Sequence, residues 1–392
     1  MSRNVPKLRF KGFEDEWKKY ELDDIAMISK SKYNPTKSNK TYKCIELEHI
    51  AQEDGRILGY VNSKEQNSIK NKFDSGDILF GKLRPYLKKY WISNFEGVCS
   101  SEIWVLKARK ISNSFLYRIV QSEKFNNIAN VSSGSKMPRA DWNYMSSTIF
   151  LVPKLNEQEK IANFLSKVDS IIEKQEKKVQ YWNSYKKGMM QKIFSQKIRF
   201  KDENGMDYPE WKINKIENIA TIEMGFTPST KNDEAWNGNI EWLSIAGMNS
   251  KYIYSGNKKI SSEILGKRKL VPIDTLIMSF KLTIGRLAIV KKEIVTNEAI
   301  CQFYWKSKDI SNEYMYAYLS VINIESFGCR AAKGITLNTE SLNSIVVKLP
   351  CLEEQTKIAN FLSNIDNIIE KESKKLEELK QWKKGLLQQM FV

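Results

Sequence analysis

The sequence contains few of the side chains on which most enzymes rely for catalysis. It has a single histidine, His49, so a Ser-His-Asp triad or a histidine-rich zinc site has almost nothing to be built from. His49 lies in an alternating stretch, residues 43–51, which predicts a strand and a structural role for the imidazole. The five cysteines lie far apart without Cys-x-x-Cys spacing, at Cys44, Cys99, Cys301, Cys329 and Cys351. Such scattered cysteines are typical of reduced thiols in a cytosolic protein, and we expect no metal site.

Motifs for nucleotide and phosphate chemistry are also missing from the sequence. There is no Gly-rich phosphate loop ending in Lys-Ser or Lys-Thr and no G-x-G-x-x-G after a predicted strand. Asn34-Pro35 is followed by threonine, unlike the Asn/Asp-Pro-Pro-aromatic signature of amino-methyltransferases, and Asp274 with Lys281 makes a poor nuclease motif. We therefore assign no catalytic residue and expect a non-catalytic chain.

The strongest chemical signal is positive charge. Lys and Arg exceed Asp and Glu by 63 to 46, which gives a formal charge of +17 and a pI near 9.3. Residues 1–150 alone carry 26 Lys and Arg against 17 Asp and Glu. A basic balance of this size favours an acidic partner, and nucleic acid is the leading one. An anionic membrane is the rival, but it would need a basic amphipathic helix or an anchor, and no stretch approaches 18 apolar residues.

The chain repeats itself, and the repeat defines its organisation. Residues 153–194 return as residues 350–391 at a constant offset of 197, with 23 of 42 positions identical. In each copy apolar residues alternate in steps of four and three, and the alternation passes over polar positions, Gln175 and Glu372 among them. The apolar positions are Ile161, Leu165, Val168, Ile172, Val179, Trp182, Met189 and Ile193, and then Ile358, Leu362, Ile365, Ile369, Leu376, Leu379, Leu386 and Met390. This spacing predicts two long helices of roughly 57 Å that pack as an antiparallel coiled coil.

The long blocks between the helices repeat only at framework positions. Trp17-Lys18 and Ile25-Ala26 correspond to Trp211-Lys212 and Ile219-Ala220, and Asp77 corresponds to Asp274. Short apolar runs predict strands in both blocks, and helices are expected near residues 114–128 and 311–322. We predict a mixed α/β (α+β) fold with a pseudo-twofold internal repeat. The expected domains are residues 1–152 and 197–349, each followed by a helical repeat at 153–196 and 350–392.

These features carry a resemblance to a known family over essentially the whole chain. Gly225-Phe226-Thr227-Pro228-Ser229, followed by residues 236–242 (WNGNIEW), resembles a motif that opens many target recognition domains in the specificity (S) subunits of type I restriction–modification enzymes. Supporting matches are residues 76–79, residues 283–286 and the two helix starts, Leu155–Gln158 and Leu352–Gln355. The first block departs from the pattern, with Lys30–Pro35 in place of Thr-Pro-Ser, so the two domains should read different bases.

The resemblance implies a division of labour. Each target recognition domain would bind one half of a bipartite, asymmetric site in double-stranded DNA. The helices would dock two methyltransferase subunits, to which two restriction/translocase subunits can add. Methylation at adenine N6 would use S-adenosylmethionine on the partner, and ATP and Mg²⁺ would also act on partner subunits, with no cofactor on this chain. A cytoplasmic location in a bacterium is expected, with no membrane contact.

Candidate residues for DNA binding are basic or polar side chains in loops, because phosphates attract cations and base edges need polar or bidentate partners. The candidates are Lys82, Arg84, Lys88, Lys89, Ser135, Lys136 and Arg139 in the first block, and Thr227, Ser229, Lys267, Arg268, Lys281, Arg286, Lys333, Thr336 and Asn338 in the second. The recurring Lys-Lys-Gly and its aromatic neighbours are candidates for partner binding. These are Trp182, Tyr185, Lys186, Lys187, Trp382, Lys383 and Lys384.

Three alternatives to this interpretation remain. The chain could be the recognition subunit of another multi-subunit restriction–modification enzyme built on the same plan. It could be a coiled-coil scaffold whose charge is incidental, or a standalone enzyme. Sequence-dependent DNA binding separates recognition from a scaffold, and methylation or cleavage by the purified chain alone would establish an enzyme.

Overall fold

The computed structural model of the protein describes residues 4–131, 137–331 and 334–391, without the side chains of 329–331 and 334–336. The chain forms two compact units. Unit 1 consists of Met1–Lys177 and Ser373–Val392, and unit 2 of Lys178–Glu372. Each unit therefore combines one globular domain with a part of each of the two long helices.

Unit 1 contains a mixed α/β domain that precedes the first long helix. Its elements in chain order are β1 (Lys18–Glu21), α1 (Leu22–Ile25), β2 (Ala26–Ile28), β3 (Lys32–Tyr33), β4 (Lys43–Ile45), β5 (Val61–Asn62), β6 (Lys70–Phe73), β7 (Ile78–Gly81), β8 (Tyr90–Ile92), β9 (Gly97–Cys99), β10 (Ile103–Ala108), α2 (Asn113–Gln121), α3 (Glu123–Ala129), α4 (Trp142–Ser146), β11 (Ile149–Val152) and α5 (Leu155–Phe194).

The strands of unit 1 form three sheets. They are ordered β1-β11, β2-β10-β7-β8 and β3-β6-β9-β4-β5. Strands β7 and β10 are buried almost throughout, as expected for apolar runs without alternation. Helices α2 and α3 share a hydrophobic core with strands β7 and β10. The predicted helix near 114–128 is confirmed as these two helices.

Unit 2 repeats the same plan. Its elements are β12 (Lys212–Lys215), α6 (Ile216–Ile219), β13 (Ala220–Met224), β14 (Ile240–Leu243), β15 (Tyr252–Ile253), β16 (Lys258–Ile260), α7 (Ser262–Leu265), β17 (Leu276–Ser279), β18 (Leu287–Val290), β19 (Val295–Thr296), β20 (Ile300–Trp305), α8 (Asn312–Leu319), β21 (Cys329–Ala331), β22 (Gly334–Thr336), α9 (Thr339–Asn343), β23 (Val346–Leu349) and α10 (Leu352–Met390).

The two domains share their framework and differ between the framework strands. The pair β12-β23 corresponds to β1-β11, and the sheet β13-β20-β17-β18-β15 contains the counterpart of β2-β10-β7-β8 with one added strand. The tryptophans that precede β1 and β12, Trp17 and Trp211, are both buried. The predicted mixed α/β fold with an internal repeat is confirmed.

The long helices α5 and α10 contain 40 and 39 residues, close to the predicted length. Every apolar seam position predicted from the repeat is buried or half-buried. In unit 1, Lys383 pairs with Asp169 and Lys380 pairs with Glu176, both at 2.7 Å, so the helix parts run in opposite directions there. Unit 2 shows the same order, because Lys186 pairs with Asp366 at 2.5 Å and Lys178 with Glu372 at 2.7 Å. A continuous coiled coil along both helices stays a prediction.

A recurring joint fixes each domain to the start of the helix that follows it. Pro153 ends the segment after β11, and Gln158 then donates from Nε2 to the Pro153 carbonyl at 2.9 Å and accepts from the Ser112 amide at 3.0 Å. Arg9 binds Glu157 through two nitrogens at 2.7 and 2.8 Å. This explains why the residues after each proline recur in the sequence.

The second joint has the same parts. Gln355 donates to the Pro350 carbonyl and accepts from the Ser311 amide, both at 2.9 Å. Arg199 donates to Glu354 at 2.9 and 3.3 Å, and the Trp211 indole also donates to this carboxylate at 2.9 Å. Glu354 has no exposed surface, so a charge this deep needs all these donors. The hydrogen bond to Glu354 raises the pKa of Arg199 above its ordinary value.

One local prediction is wrong. The alternation of residues 43–51 predicted a strand through His49, but β4 ends at Ile45 and His49 lies in a 3₁₀ turn, Leu47–His49. The imidazole Nδ1 accepts a hydrogen bond from the Glu46 amide at 3.0 Å, which caps this turn. The structural role expected for His49 therefore holds, although its setting is a turn.

Candidate nucleic-acid interface

Two of the candidate loops in unit 1 meet. The loop after β7 forms a β-bridge from Leu83 to Arg139. The Arg84 amide donates to the Pro138 carbonyl at 2.8 Å, and the Ala140 amide donates to the Lys82 carbonyl at 2.9 Å. Residues 54 or more positions apart in sequence therefore form one surface, in which the backbone of each loop supports the other.

The cations of this surface divide into two groups. Arg84 is exposed and Lys82 half-exposed, and neither side chain bonds to a residue within the described ranges. Lys88 pairs with Glu53 at 2.7 Å, and Arg139 binds both oxygens of Glu102 at 3.0 and 3.2 Å. Lys82 and Arg84 are thus available to a polyanion, whereas Lys88 and Arg139 already have carboxylate partners.

The remaining cation of this loop, Lys89, points back into the domain. Its ammonium donates to the Leu47 carbonyl at 2.6 Å. Burial lowers the pKa of Lys89, since the charged form loses hydration there. Lys89 supports the loop more readily than it contacts an external phosphate.

Unit 2 presents a basic loop at the matching position, between β17 and β18. Ser279, the last residue of β17, has no exposed surface and binds the backbone of this loop. Its hydroxyl donates to the Thr283 carbonyl and accepts from the Arg286 amide at 3.1 Å, and its carbonyl accepts from the Gly285 amide at 2.8 Å. Lys281 and Arg286 lie exposed on either side of the tip.

Neither of these two cations has a carboxylate partner in the part of the chain that the structure describes. The Lys281 ammonium lies 5.1 Å from the centre of its neighbour's ring, Phe280. The Arg286 guanidinium donates to the Ile245 carbonyl at 3.0 Å. Both retain an uncompensated positive charge, as a phosphate-binding loop requires.

The glycine-rich motif of unit 2 forms a supporting structure. A Cβ on Gly225 would lie 1.9 Å from the Thr296 carbonyl oxygen, and one on Gly238 would lie 2.1 Å from the Ile260 carbonyl oxygen, so only glycine fits at either place. Trp236 and Trp242 meet edge to face with centroids 4.9 Å apart. The motif residues therefore fix a loop against strands β14, β16 and β19.

Polar side chains of this motif are largely occupied within it. The Thr227 hydroxyl accepts from the Asn297 side-chain amide at 2.8 Å, and the Ser229 hydroxyl accepts from the Lys231 backbone amide at 3.4 Å. Arg268 stacks over the Phe226 ring at 4.2 Å and donates to the Ile264 carbonyl at 3.3 Å. Its neighbour Lys267 is exposed and makes no ion pair with a described residue.

Four of the DNA-binding candidates lie wholly or in part outside the described residues. Ser135, Lys136 and Lys333 lie outside the described residues, and the side chain of Thr336 is not described. Asn338 is the N-cap of α9, where its side chain accepts from the Ser341 amide at 2.8 Å. This role occupies the side-chain oxygen Oδ1 of Asn338.

The recurring lysines on the long helices separate in the same way as the loop cations. Lys186 and Lys383 make the ion pairs with Asp366 and Asp169 described above, so packing explains their recurrence. Lys187 and Lys384, the second lysine of each pair, are exposed. A partner protein would therefore meet Lys187 and Lys384 first.

The aromatic neighbours of these lysines are partly exposed. Trp182, Tyr181 and Tyr185 contact one another, with centroid distances of 5.5 to 6.1 Å. Trp182 also packs against the core of unit 2. Trp382, the counterpart of Tyr185 in the repeat, is 44% exposed and touches Phe164 edge to face. Sequence reasoning missed Tyr181, which is exposed but has only Glu378 as its counterpart.

The remaining chemistry-bearing groups are buried or isolated. Burial raises the pKa of the Cys44 and Cys301 thiols to about 12, so neither is a thiolate at neutral pH. Within the described ranges no group of three His, Cys, Asp or Glu side chains is placed to hold a metal ion. None of the described helices is long and apolar enough to cross a membrane.

Comparison with known proteins agrees with the duplicated framework. Residues 14–180 and 208–381 each match the family described as type I restriction modification DNA specificity domain. The chain is 26% identical over 410 residues to a putative type I restriction enzyme MjaX specificity subunit of Methanocaldococcus jannaschii, covering 98% of this chain and 95% of the relative. It is 23% identical over 408 residues to the MjaVIII specificity subunit of the same organism, covering 95% and 91%.

Solved structures share the fold. A chain from a type I restriction–modification system superposes with a TM-score of 0.63 at 18% identity, covering 95% of this chain and 96% of that one. The S subunit of a type I restriction–modification system from M. genitalium gives a TM-score of 0.56 at 14% identity and covers 99% of both chains.

Two copies of one recognition domain, each followed by a long helix, define this chain as a duplicated DNA-specificity protein. It belongs to the type I restriction–modification specificity subunit family, as the resemblance in the sequence predicted.

Proposed function

We propose that the chain directs a partner adenine-N6 methyltransferase to a bipartite, asymmetric site in double-stranded DNA, with one half read by each unit. The observation that carries this proposal is the matching pair of loops after β7 and β17, which share a framework position but differ in sequence. Lys82 and Arg84 in one loop, and Lys281 and Arg286 in the other, lack carboxylate partners among the described residues. Equivalent loops with different side chains are what two unlike half-sites require.

The chain contributes recognition in this proposal, and its partners contribute catalysis. Two methyltransferase subunits would bind the helices. The exposed candidates for that contact are Tyr185, Lys187, Trp382 and Lys384. Two restriction/translocase subunits would complete the complex. S-adenosylmethionine, ATP and Mg²⁺ would be held by those partners, because no residue of this chain is assigned to them. The complex would act in the bacterial cytoplasm, where its DNA is.

Mapping of methylated adenines tests this proposal. The full chain is expressed with a methyltransferase subunit in a host that lacks other adenine methylation, and the genome is sequenced by a method that detects N6-methyladenine. We expect a single motif of two different halves separated by unread positions. A continuous or palindromic motif would contradict two unlike reading domains.

The purified chain provides the complementary control. On its own it should bind the mapped duplex in preference to a scrambled one and should neither methylate nor cleave it when S-adenosylmethionine, ATP and Mg²⁺ are supplied. Methylation or cleavage by the chain alone would identify an enzyme. Equal binding to both duplexes at every salt concentration would favour a scaffold.

A further inference from the structure

The tips of the two matching loops carry residues in an unusual backbone conformation. After β7, the Lys82 amide donates to the Glu102 carbonyl at 3.0 Å, and after β17 the Phe280 amide donates to the Ala299 carbonyl at 3.0 Å. These equivalent bonds make Lys82 the counterpart of Phe280, and hence Arg84 the counterpart of Leu282. Arg84 has φ 52° and Leu282 has φ 65°.

Left-handed backbone is unfavourable for a leucine or arginine, and residues held in it are concentrated at functional sites. Leu282 is also 94% exposed, and Arg84 is exposed. A lone exposed leucine would need no explanation. Here the same strained position recurs in both units and presents a large side chain outward each time.

Hydrogen bonds within its own unit support each tip. Ser279 supports the Leu282 loop through its hydroxyl and its carbonyl, and the segment at Pro138–Ala140 supports the Arg84 loop. Neither tip side chain makes a hydrogen bond or ion pair within the described ranges. An exposed side chain without an intrachain partner is suited to an external partner that supplies the missing contact.

The surroundings of each tip indicate what that partner is. Lys281 and Arg286 flank Leu282, and Lys82 lies beside Arg84. Cations on both sides of Leu282 and on one side of Arg84 would attract phosphates and leave each tip facing the nearby base edges. In the major groove an arginine pairs with guanine O6 and N7, and an apolar side chain contacts the thymine methyl group.

We infer that Arg84 and Leu282 are equivalent base-reading residues, with Arg84 reading a guanine in one half-site and Leu282 reading a thymine methyl group in the other. This inference rests on the proposed function and assigns two of its specificity-determining contacts. It gives Arg84 a role beyond phosphate binding, and it gives a role to Leu282, which no charge or motif in the sequence indicated.

Base analogues test the inference atom by atom. The full chain, in complex with its methyltransferase subunits, is titrated with a duplex carrying the motif selected from random sequence. Each thymine is replaced in turn by deoxyuridine, which lacks only the methyl group, and each guanine by 7-deazaguanine, which lacks the N7 acceptor. For the unaltered chain we expect one uracil position to weaken binding about fourfold. One 7-deazaguanine position in the other half-site should weaken binding about tenfold.

Variants then assign each position to its residue. Leu282→Ala should remove the uracil effect at its position, while Leu282→Met should keep it. The control Ile213→Ala removes another exposed apolar side chain of unit 2, from β12, and should leave the uracil effect intact. Arg84→Met has no donor and should remove the 7-deazaguanine effect, whereas Arg84→Lys keeps the charge but not the forked pair of donors and should reduce this effect while it preserves the salt dependence.

The outcomes separate this inference from the proposed function. If the complex prefers its motif but Leu282→Ala and Arg84→Met respond to the analogues as the unaltered chain does, the inference is wrong and the function stands. Uniform weakening on all duplexes, with the analogue effects unchanged, would make Arg84 a phosphate contact and Leu282 a contact that does not read sequence, and would also overturn it. If the unaltered complex has no sequence preference, the proposed function fails and this inference fails with it.

Discussion

At the scale of single residues, positive charge is informative only once its partners are known. Lys88 and Arg139 were candidates on the same grounds as Lys82 and Arg84, yet the first two have carboxylate partners and the others have none among the described residues. A lysine that already holds a carboxylate gains less from a phosphate, since it must give up one anion for another. Free cations should therefore dominate DNA affinity.

A first prediction concerns the free cations of unit 2. Lys281→Ala and Arg286→Ala should each weaken binding to specific and scrambled duplexes by similar factors, because each removes a phosphate contact. The slope of log K against log salt should fall in magnitude by about 1 for each variant. Fluorescence anisotropy titrations at several salt concentrations measure this slope.

The matched control for that experiment is Lys292→Ala. Lys292 pairs with Glu241 at 3.1 Å in the same unit, and the ion pair holds the pKa of Glu241 below its ordinary range. Its removal should leave the salt slope unchanged. Equal slopes for Lys281→Ala and the unaltered chain would remove this loop from the interface.

A second prediction uses the two equivalent tryptophans as a matched pair. The Trp211 indole donates to the buried carboxylate of Glu354 at 2.9 Å, whereas the Trp17 indole nitrogen is buried without a hydrogen-bond partner among the described residues. Trp211→Phe and Trp17→Phe leave similar cavities, but only Trp211→Phe removes a hydrogen bond to a charge. Trp211→Phe should cost about 2 kcal/mol more in the free energy of unfolding of its unit.

Hydrogen exchange at increasing urea, read on peptides of each unit separately, measures this difference. Equal losses for Trp17→Phe and Trp211→Phe would mean that the hydrogen bond to Glu354 contributes nothing net. The comparison is informative because the two side chains occupy the same framework position and share their aromatic setting, with Trp17 next to Phe115 and Trp211 next to Tyr314.

Residue-scale roles could be predicted from the sequence only in part. The sequence indicated cations in loops, but it could not show that Arg139 is held by Glu102, which lies 37 positions away, or that Thr227 is held by Asn297, 70 positions away. Such pairings depend on how strands are ordered in the sheets. Leu282 carried no signal at all, because its backbone angle and exposure are properties of the folded loop.

At the scale of elements, the recurring joint and the recurring ion pairs explain why the helices are better preserved than the domains. Asp169 and Asp366 are counterparts in the repeat, as are Lys383 and Lys186, and the two ion pairs form within different units. The two aspartates differ in what else they hold. Asp169 also accepts from Arg118 at 2.6 Å, and Arg118 is almost fully buried in α2.

A third prediction follows from that difference. Asp169→Asn should destabilise unit 1 by about 3 kcal/mol, because it leaves the buried Arg118 guanidinium without its carboxylate. Asp366→Asn should cost unit 2 about 1 kcal/mol, since its partner Lys186 is partly exposed and can turn to solvent. Unit-specific unfolding by hydrogen exchange in urea measures both.

Double substitution provides the control. Asp366→Lys combined with Lys186→Asp should restore most of the stability that either single change removes. The exchange keeps the ion pair with its charges reversed, because Asp366 and Lys186 have only each other as ion-pair partners among the described residues. The same exchange at Asp169 and Lys383 should not restore it, as Arg118 would then face a lysine. Restoration at both sites would show that Arg118 does not depend on Asp169.

Unit 2 lacks an arginine at the position of Arg118, and a lysine from another element takes over part of its role. Ser112 and Ser311 are equivalent through the joint, which makes Ala317 the counterpart of Arg118. Lys251 instead reaches Ser363, the counterpart of Ser166 to which Arg118 donates. The helix surface is thus preserved, while each domain supplies its cation from a different element.

Elements were the most predictable part of the fold. The seam positions needed only a period of 3.5 residues, which the sequence shows directly, and the two helices that it predicted contain 40 and 39 residues. The strand expected through His49 failed because the Glu46 side chain and the His49 imidazole cap a local turn, which competes with strand pairing. Short-range polar contacts of this kind override an alternating pattern.

At the scale of the whole molecule, sequence boundaries and compact units differ for a physical reason. The repeat divides the chain after residue 196, but unit 1 takes in Ser373–Val392 and unit 2 begins at Lys178. Each helix supplies its first part to one unit and its last part to the other. This exchange depends on contacts between residues some 200 positions apart, which a linear pattern cannot display.

The last prediction concerns the distance between the half-sites under the proposed function. Insertion of seven residues after Lys177 and seven more after Lys374, which are counterparts in the repeat, would lengthen each helix by about 10 Å and preserve the seam. If the helices set the separation of the reading domains, the unread spacer should grow by about 3 base pairs. Methylated-adenine mapping with the altered chain reads the spacer directly.

Insertion in α5 alone is the matched control. It adds the same residues but gives the helix no lengthened partner, so the inserted heptad has no seam to pack against and binding to any spaced motif should weaken. A lengthened spacer in the single variant, or an unchanged spacer in the double one, would show that something other than the paired helices sets the distance. Recognition of unlike half-sites by each unit would survive either result, since it depends on the loops alone.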